Sequence, residues 1–444
     1  MNQTRVSVAI LLVLLMGAGW MVLLGGQASQ SAAQSDAIEL ARSYRDQELY
    51  AMSIQNYEQA LAQSPSKELY QELAEVYQVY YGQNNTSAVR NDFADLLSRA
   101  CGDYPREEAF WEQYVQIYLD REDYSEAYRV LNRAENARAS SDTLKEQRQA
   151  VYYAFDVNYR SYIQVLPGSW DGCYVVQDRE GWGLYTSAGE TMLSAVYPMM
   201  GPVSADGMVV VTDADGDSWL MDDAGTPRAH YQGTAAQAGC RSEGLTPIQL
   251  AGEETWSYFS DDGQAVLSGY LEAGSFQDGQ AAVRTSEGWQ IIDEQGDQAE
   301  EGLWEDIRLD AAGRYDQDGC ILAKSGGSWG IYSSSWKPRE GFQCDDIDVH
   351  LDGAIAFCRD GLWGFVDEDG EEVIAPAYDQ ARSFSGGVAA VCKDGLWGFI
   401  DEEGQLVVDY QFADAGYFSP EDGSCPVQLE ADGSYQMIQW VVAR

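Results

Sequence analysis

Hydrophobic positions follow three different patterns along the 444 residues. Residues 6–26, VSVAILLVLLMGAGWMVLLGG, form an unbroken apolar run. As a helix it is long enough to cross a bilayer core, and longer than the apolar stretch of most cleaved signal peptides. Residues 36–155 place apolar side chains at helical spacing, with little glycine or proline. From 156 to 444 the pattern becomes short apolar runs between glycine and aspartate turns, which predicts β-strands.

In the helical stretch, Ala37, Leu40, Ala41 and Tyr44 predict one stripe, and Tyr57 and Ala60 a second, ended by Pro65. Tyr70, Leu73, Ala74 and Tyr77 then pair with Phe93, Leu97 and Ala100 ahead of Pro105. This pair carries several additional residues around GQNNTS, assigned to the hairpin loop. Trp111, Tyr114, Val115 and Tyr118 with Ala127, Leu131 and Ala134 predict a third hairpin, and a helix over 141–155 caps the stack. The offsets of small and aromatic residues resemble the tetratricopeptide repeat, a helical hairpin of about 34 residues. Such stripes are first of all a packed core, and the resemblance implies a spacer and protein-docking module.

The β region repeats. Trp182, Trp219, Trp256, Trp289, Trp329, Trp363 and Trp397 open equivalent strands, with Tyr435 in the eighth place, 33 to 40 residues apart. A glycine opens another apolar run 10 or 12 residues ahead of each: Gly172, Gly207, Gly244, Gly279, Gly319, Gly353, Gly387 and Gly423. One unit reads as GGVAAVCK (386–393), the turn Asp394-Gly395, LWGFID (396–401), the turn EEG (402–404) and QLVVDY (405–410). A looser segment then leads to the next glycine. RDGLWGFVDEDG and KDGLWGFIDEEG are the two best-kept copies.

These residues resemble the bacterial WG-repeat family over nearly all of 156–444. The match is close at Trp363 and Trp397, good at Trp182 and Trp329, and degraded at Trp219, Trp256 and Trp289, which lack the following glycine. The resemblance implies a β-repeat domain for interaction, with no defined ligand or enzymatic activity. The array ends with two strands, SCPVQL and SYQMIQWVVAR, and opens near Arg160–Trp170 with what reads as the rest of a unit. A unit completed by both ends predicts a closed, propeller-like ring of about eight blades; an open β-superhelix is the alternative.

Charge removes several functions. Against 72 acidic residues stand 27 Lys and Arg, a net charge of −45 that repels nucleic acid and anionic lipid. Eight scattered cysteines make neither a disulfide scaffold nor a zinc site, and two histidines, His230 and His350, leave little Ser-His, Cys-His or His-metal chemistry. TDADGDSW (212–219) spaces Asp213, Asp215 and Asp217 as a calcium loop does, but Ala224 stands where the closing glutamate belongs. A turn is the competing reading. Recurring acids such as Asp367-Glu368-Asp369 and Asp401-Glu402-Glu403 read as solvated loops rather than a hydrolytic pair. The tryptophans read as packing between units or as a sugar-stacking row. Cys358 and Cys392, like Cys173 and Cys320, hold equivalent strand positions and read as buried thiols.

The chain is therefore expected to have a cytoplasmic tail (1–5), a transmembrane anchor or signal sequence (6–26), a linker (27–35), tetratricopeptide-like helices (36–155) and a WG-repeat β domain (156–444). Arg5 ahead of the apolar run places the body outside the cytoplasm, with secretion after signal cleavage as the alternative. No catalytic, cofactor or metal residue is assigned. The expected function is non-enzymatic binding or scaffolding at the cell envelope, toward another envelope protein or a cell-wall polymer; a carbohydrate-sensing module is the alternative.

Overall fold

The computed structural model describes residues 32–431 and 433–442, and the apolar run 6–26 lies outside them. Among the described residues no helix is long and apolar enough to cross a membrane. The chain divides into two compact units, one ending at Tyr152 and one beginning at Tyr153.

The first unit is a stack of helices: α1 (32–46), α2 (Tyr50–Gln63), α3 (Lys67–Gln83), α4 (Ser87–Asp103), α5 (Glu108–Leu119), α6 (Tyr124–Asn136) and α7 (Asp142–Tyr152). Ser66, Thr86 and Asp123 start α3, α4 and α6 by accepting an N–H from the first turn. Tyr57, Leu73, Leu97, Val115 and Leu131 form the core. The tyrosine hydroxyls reach polar partners, Tyr57 donating to Glu72 at 2.7 Å and Tyr70 to Asp103 at 2.7 Å. Arg42 donates to both Glu72 oxygens and, with Tyr57, holds that carboxyl below its usual range. Three expectations are corrected. Leu40 is 45% exposed, and α1 buries Ala37 and Ala41 instead. The residues around GQNNTS lengthen both helices to 17 residues, leaving 84–86 as connector, because Thr86 caps the next helix at once. The last helix stops at Tyr152, since Phe155 already begins a strand.

The second unit is a ring of eight antiparallel sheets. Blades 1 to 7 run over residues 164–197, 199–231, 235–270, 272–304, 306–344, 346–378 and 380–412. Each opens with a short innermost strand of two to four residues, which lies in the segment that reads from the sequence as loose. Blade 8 is composite. Asp414–Ala415, Ser424–Gln428 and Tyr435–Trp440 come from the C-terminal end, and Phe155–Tyr162 supplies the outer strand, pairing Phe155 with Trp440 and Val157 with Ile438. That strand lies earlier than the expected Arg160–Trp170, whose residues 164–165 instead open blade 1. Blade 8 bonds blade 1 through the Tyr174 and Ser424 hydroxyls, 2.8 Å apart, and through Gly172 N–H donating to Glu421 at 3.0 Å. The ring is closed, which removes the open superhelix.

Trp182, Trp289, Trp329, Trp363 and Trp397 face the next blade, whereas Trp219 packs on the face shared with blade 1. Trp397 packs with Ala415, Phe418, Val427 and Ile438 of blade 8, and Trp329 with Ile347, Ile355 and Phe357 of blade 6. Tyr435 takes the same place against Tyr162, Tyr174 and Tyr185.

The glycine after tryptophan answers to a bulge. At Trp397 the register runs from Trp397–Phe412 to Phe399–Val408, so the outer strand advances four residues while the tryptophan strand advances two. Trp363 and Trp182 show the same step, Tyr378 to Ile374 and Tyr197 to Leu193. The bulged backbone presses onto the glycine between. A Cβ on Gly398 would sit 2.6 Å from the Val408 carbonyl, one on Gly364 2.5 Å from Ile374 O, and one on Gly183 2.7 Å from Leu193 O. Where Leu220 follows Trp219, the pairs Trp219–His230 and Leu220–Ala229 are consecutive and no such contact arises. Blades 4 and 5 depart further, for their outer strands shrink to isolated bridges such as Trp289–Trp304 and Trp329–Cys344. DQAEEGLW (297–304) and KPREGFQC (337–344) lack the β-branched residues that strands prefer.

Much of the acidity caps turns. Asp367 accepts from Asp369 and Glu371 N–H, and Asp401 from Gln405 N–H at 2.8 Å. Glu243 accepts from Asp278 and Gly279 N–H of the next blade at 2.8 and 2.9 Å, and Asp352 from Gly386 N–H at 2.9 Å. All eight cysteines are buried and free. Burial pushes the thiols up, those of Cys101, Cys240 and Cys344 to about 12.

Three outcomes follow from this packing. Deleting residues 435–444 strips the central strand of blade 8, so cooperative melting of the ring, followed by circular dichroism, should be lost; an unchanged curve means closure does not hold the ring. Gly398→Ala should cost about 3 kcal/mol because strand backbone must move. Gly387→Ala, with φ +75 and open space around it, should cost about 1 kcal/mol; urea unfolding of both variants measures the gap. Iodoacetamide at pH 8 should label no cysteine in the folded chain and all eight in denaturant, read by intact mass.

Candidate functional site

The inner wall of the ring is set by one position per blade. Directly after each innermost strand, the N–H of Leu166, Gly201, Gly239, Gly274, Arg308, Asp348, Arg382 and Gly416 donates to the neighbouring strand of its own blade, to the carbonyls of Val175, Val210, Pro247, Ala282, Leu322, Ala356, Ala390 and Pro426. The eight positions are therefore equivalent, yet their side chains differ. Blades 2 to 4 carry glycines with no room for more: a Cβ would lie 3.1 Å from Ala238 Cβ at Gly201, 2.7 Å from Pro247 at Gly239 and 2.6 Å from the Gly313 carbonyl at Gly274. Blades 5, 6 and 7 carry Arg308, Asp348 and Arg382, and these line a cavity of about 720 Å³.

The longest inner loop belongs to blade 5. Residues 308–319 cross the channel: Gly313 O accepts from Ser275 N–H of blade 4, and Ala311 reaches Gly168 of blade 1, whose added Cβ would lie 2.9 Å from it. This strap fills the middle of the channel and leaves the cavity on the side of blades 5 to 8 and 1. Leu309, Leu351, Leu166 and Pro420 give it apolar walls.

The polar groups form a connected set. Arg308 lies over the Trp329 ring at 4.7 Å and donates to Asp346 of blade 6 at 2.7 Å. Arg382 repeats the device over Trp397 at 5.1 Å, donating to Asp414 of blade 8 at 3.1 Å. Arg314 donates to Asp310 at 2.7 Å. Tyr417 donates to both oxygens of Asp348, at 2.8 and 2.9 Å, and burial beside that carboxylate pushes the phenol well up. Tyr435 donates to Asp414 at 2.6 Å. His350, 7% exposed, donates its Nδ1–H to the Gln317 carbonyl at 2.9 Å, while Gln317 Oε1 accepts from His350 N–H at 2.6 Å. Such a set of fixed donors and acceptors orients a bound molecule and contains no adjacent nucleophile and base.

The other sequence candidates stay apart from this cavity. Asp213 accepts from the N–H groups of Asp215 and Asp217 and from the Trp219 indole, each at 3.0 Å, so its carboxylate closes a turn. Among the described residues no group of three or more metal-ligating side chains converges. His230 packs beside Trp219 with ring centroids 4.5 Å apart, away from the channel lining. Arg308, Asp348, His350, Arg382 and Tyr417 carry no motif of their own. The signal open to the sequence was the aligned position after the innermost strand, where glycine gives way to charge.

Comparison with known proteins bears on this architecture. The WG containing repeat matches residues 363–397 and 397–430, which run from the tryptophan of one blade into the next. No curated protein matches the chain. Among solved structures, the chain is similar to "The crystal structure of BamB from Moraxella catarrhalis", with 14% identity, 64% of this chain and 100% of that chain covered, and a TM-score of 0.43. The chain carries WG containing repeats over 363–430, and the blades around them are built on the same eightfold plan.

Proposed function

We propose that this chain is a non-enzymatic binding or scaffold protein of the bacterial cell envelope, anchored through residues 6–26 with its body outside the cytoplasm. The observation that carries the reading is where the recurring residues go. Most of the repeat tryptophans pack in blade interfaces, the recurring acids cap turns, and the cysteines lie buried as free thiols. Besides the channel cavity, the molecule offers broad surfaces: a helical stack and a wide ring, two repeat architectures that present extended faces to partners. Its acidity favours a partner that is not itself strongly acidic.

Photo-crosslinking in intact cells tests this. A photoreactive residue at exposed ring positions such as Val266, Val373 and Leu396, at 51%, 52% and 44% exposure, should yield a discrete higher-mass adduct at one or more sites. The chain should fractionate with membranes and be degraded by protease added outside the cytoplasmic membrane. Uncrosslinked chain at every site, or protection from external protease, removes the reading.

A further inference from the structure

The channel cavity has the chemistry of a ligand site, and its charge balance narrows the ligand. Each of its three arginines already has a carboxylate partner: Arg308 has Asp346, Arg314 has Asp310 and Arg382 has Asp414. An anion entering the cavity gains little from guanidinium groups that are already neutralised, within a chain of net charge −45. A cation fares no better: Asp348 accepts from Tyr417 and Ser383, Asp352 and Glu421 accept the Gly386 and Gly172 N–H groups, and these two with Asp318 are exposed to water at the rim. Paired guanidinium and carboxylate planes still offer unused N–H donors and lone pairs side by side. A neutral molecule with many hydroxyls, each both donor and acceptor, can use them without separating the pairs.

His350 supplies the second observation. It lines the cavity although its side chain is almost wholly enclosed, and its Nδ1–H is committed to the Gln317 carbonyl. Nε2, on the other edge of the ring, has no hydrogen bond among the described residues, and it is not among the buried atoms sealed from solvent, as Arg308 Nε is. With the proton held on Nδ1, Nε2 presents a lone pair that a hydroxyl can satisfy. Apolar faces at Leu309, Leu351 and Pro420 match the C–H faces of a sugar ring, and about 720 Å³ lies within the size range of small-molecule sites.

We propose that this cavity binds a neutral saccharide, one of whose hydroxyls donates to His350 Nε2 while others bridge the Arg–Asp pairs. The site is independent of a protein partner on the outer faces, so either reading can fail without the other.

Saturation-transfer NMR and intrinsic fluorescence on the full chain test it with four trisaccharides: maltotriose and the N-acetylglucosamine trimer as neutral probes, the glucosamine trimer as cation and the galacturonic acid trimer as anion. At least one neutral probe should bind, and neither charged probe should bind more tightly. His350→Asn keeps an amide N–H where Nδ1 stands and removes Nε2; it should weaken binding tenfold or more without lowering the melting temperature. Leu351→Trp fills the cavity from its apolar wall and should abolish binding, which keeps a test available if His350→Asn misfolds. Binding only of a charged probe, no binding of either neutral probe, or neutral binding unchanged in a folded variant overturns the proposal.

Discussion

Pairing of Phe155–Tyr162 with Tyr435–Trp440 is the contact on which the second unit depends, because it joins segments about 275 residues apart and turns a row of blades into a ring. Without it, Asp414–Ala415, Ser424–Gln428 and Tyr435–Trp440 form a three-stranded sheet whose outer edge is open and prone to pair with other chains. With it, Tyr174 meets Ser424 and Gly172 meets Glu421, and every blade has a neighbour on both sides. The inner wall, the strap and the cavity all presuppose that closure.

A second constraint works within each blade. A bulged outer strand turns tightly onto the tryptophan strand, and only glycine admits it at Gly183, Gly364 and Gly398. Where the outer strand runs in plain register, as beside Leu220, the glycine is dispensable. Trp336 shows the opposite exception. It occupies the left-handed turn position that glycine holds elsewhere, at φ 57, and packs at a tilt against Trp304 with centroids 4.0 Å apart. Its ring contact across the poorly formed edges of blades 4 and 5 offsets backbone strain that glycine would avoid.

The strong acidity has a local cause besides solubility. Carboxylates at Asp213, Glu243, Asp352, Asp367, Asp401 and Glu421 each accept backbone N–H groups that tight turns leave unpaired. Repeating a turn-rich unit eight times multiplies that need. Some of the few cations join blades: Arg308 and Arg382 bind the next blade's inner strand, and Arg241 links Asp206 to Asp261.

Some of this is legible residue by residue. Period-3.6 stripes place α3 to α6, and the tryptophan and glycine landmarks count the blades, because helix and strand periodicities are local. Leu40 misleads because its burial depends on a neighbouring helix, and none among the described residues covers that face. The innermost strands are too short to show a period. By itself the sequence determined the unit, its number and its turns, since those rest on residues within one hairpin. Only the tertiary structure decided why a glycine follows tryptophan, as its contact lies about ten residues on, and which side chains share the channel. Tyr417 and Asp348 meet across 69 residues, and Gly168 and Ala311 across the ring, because loop length and circular order, rather than spacing, bring them together.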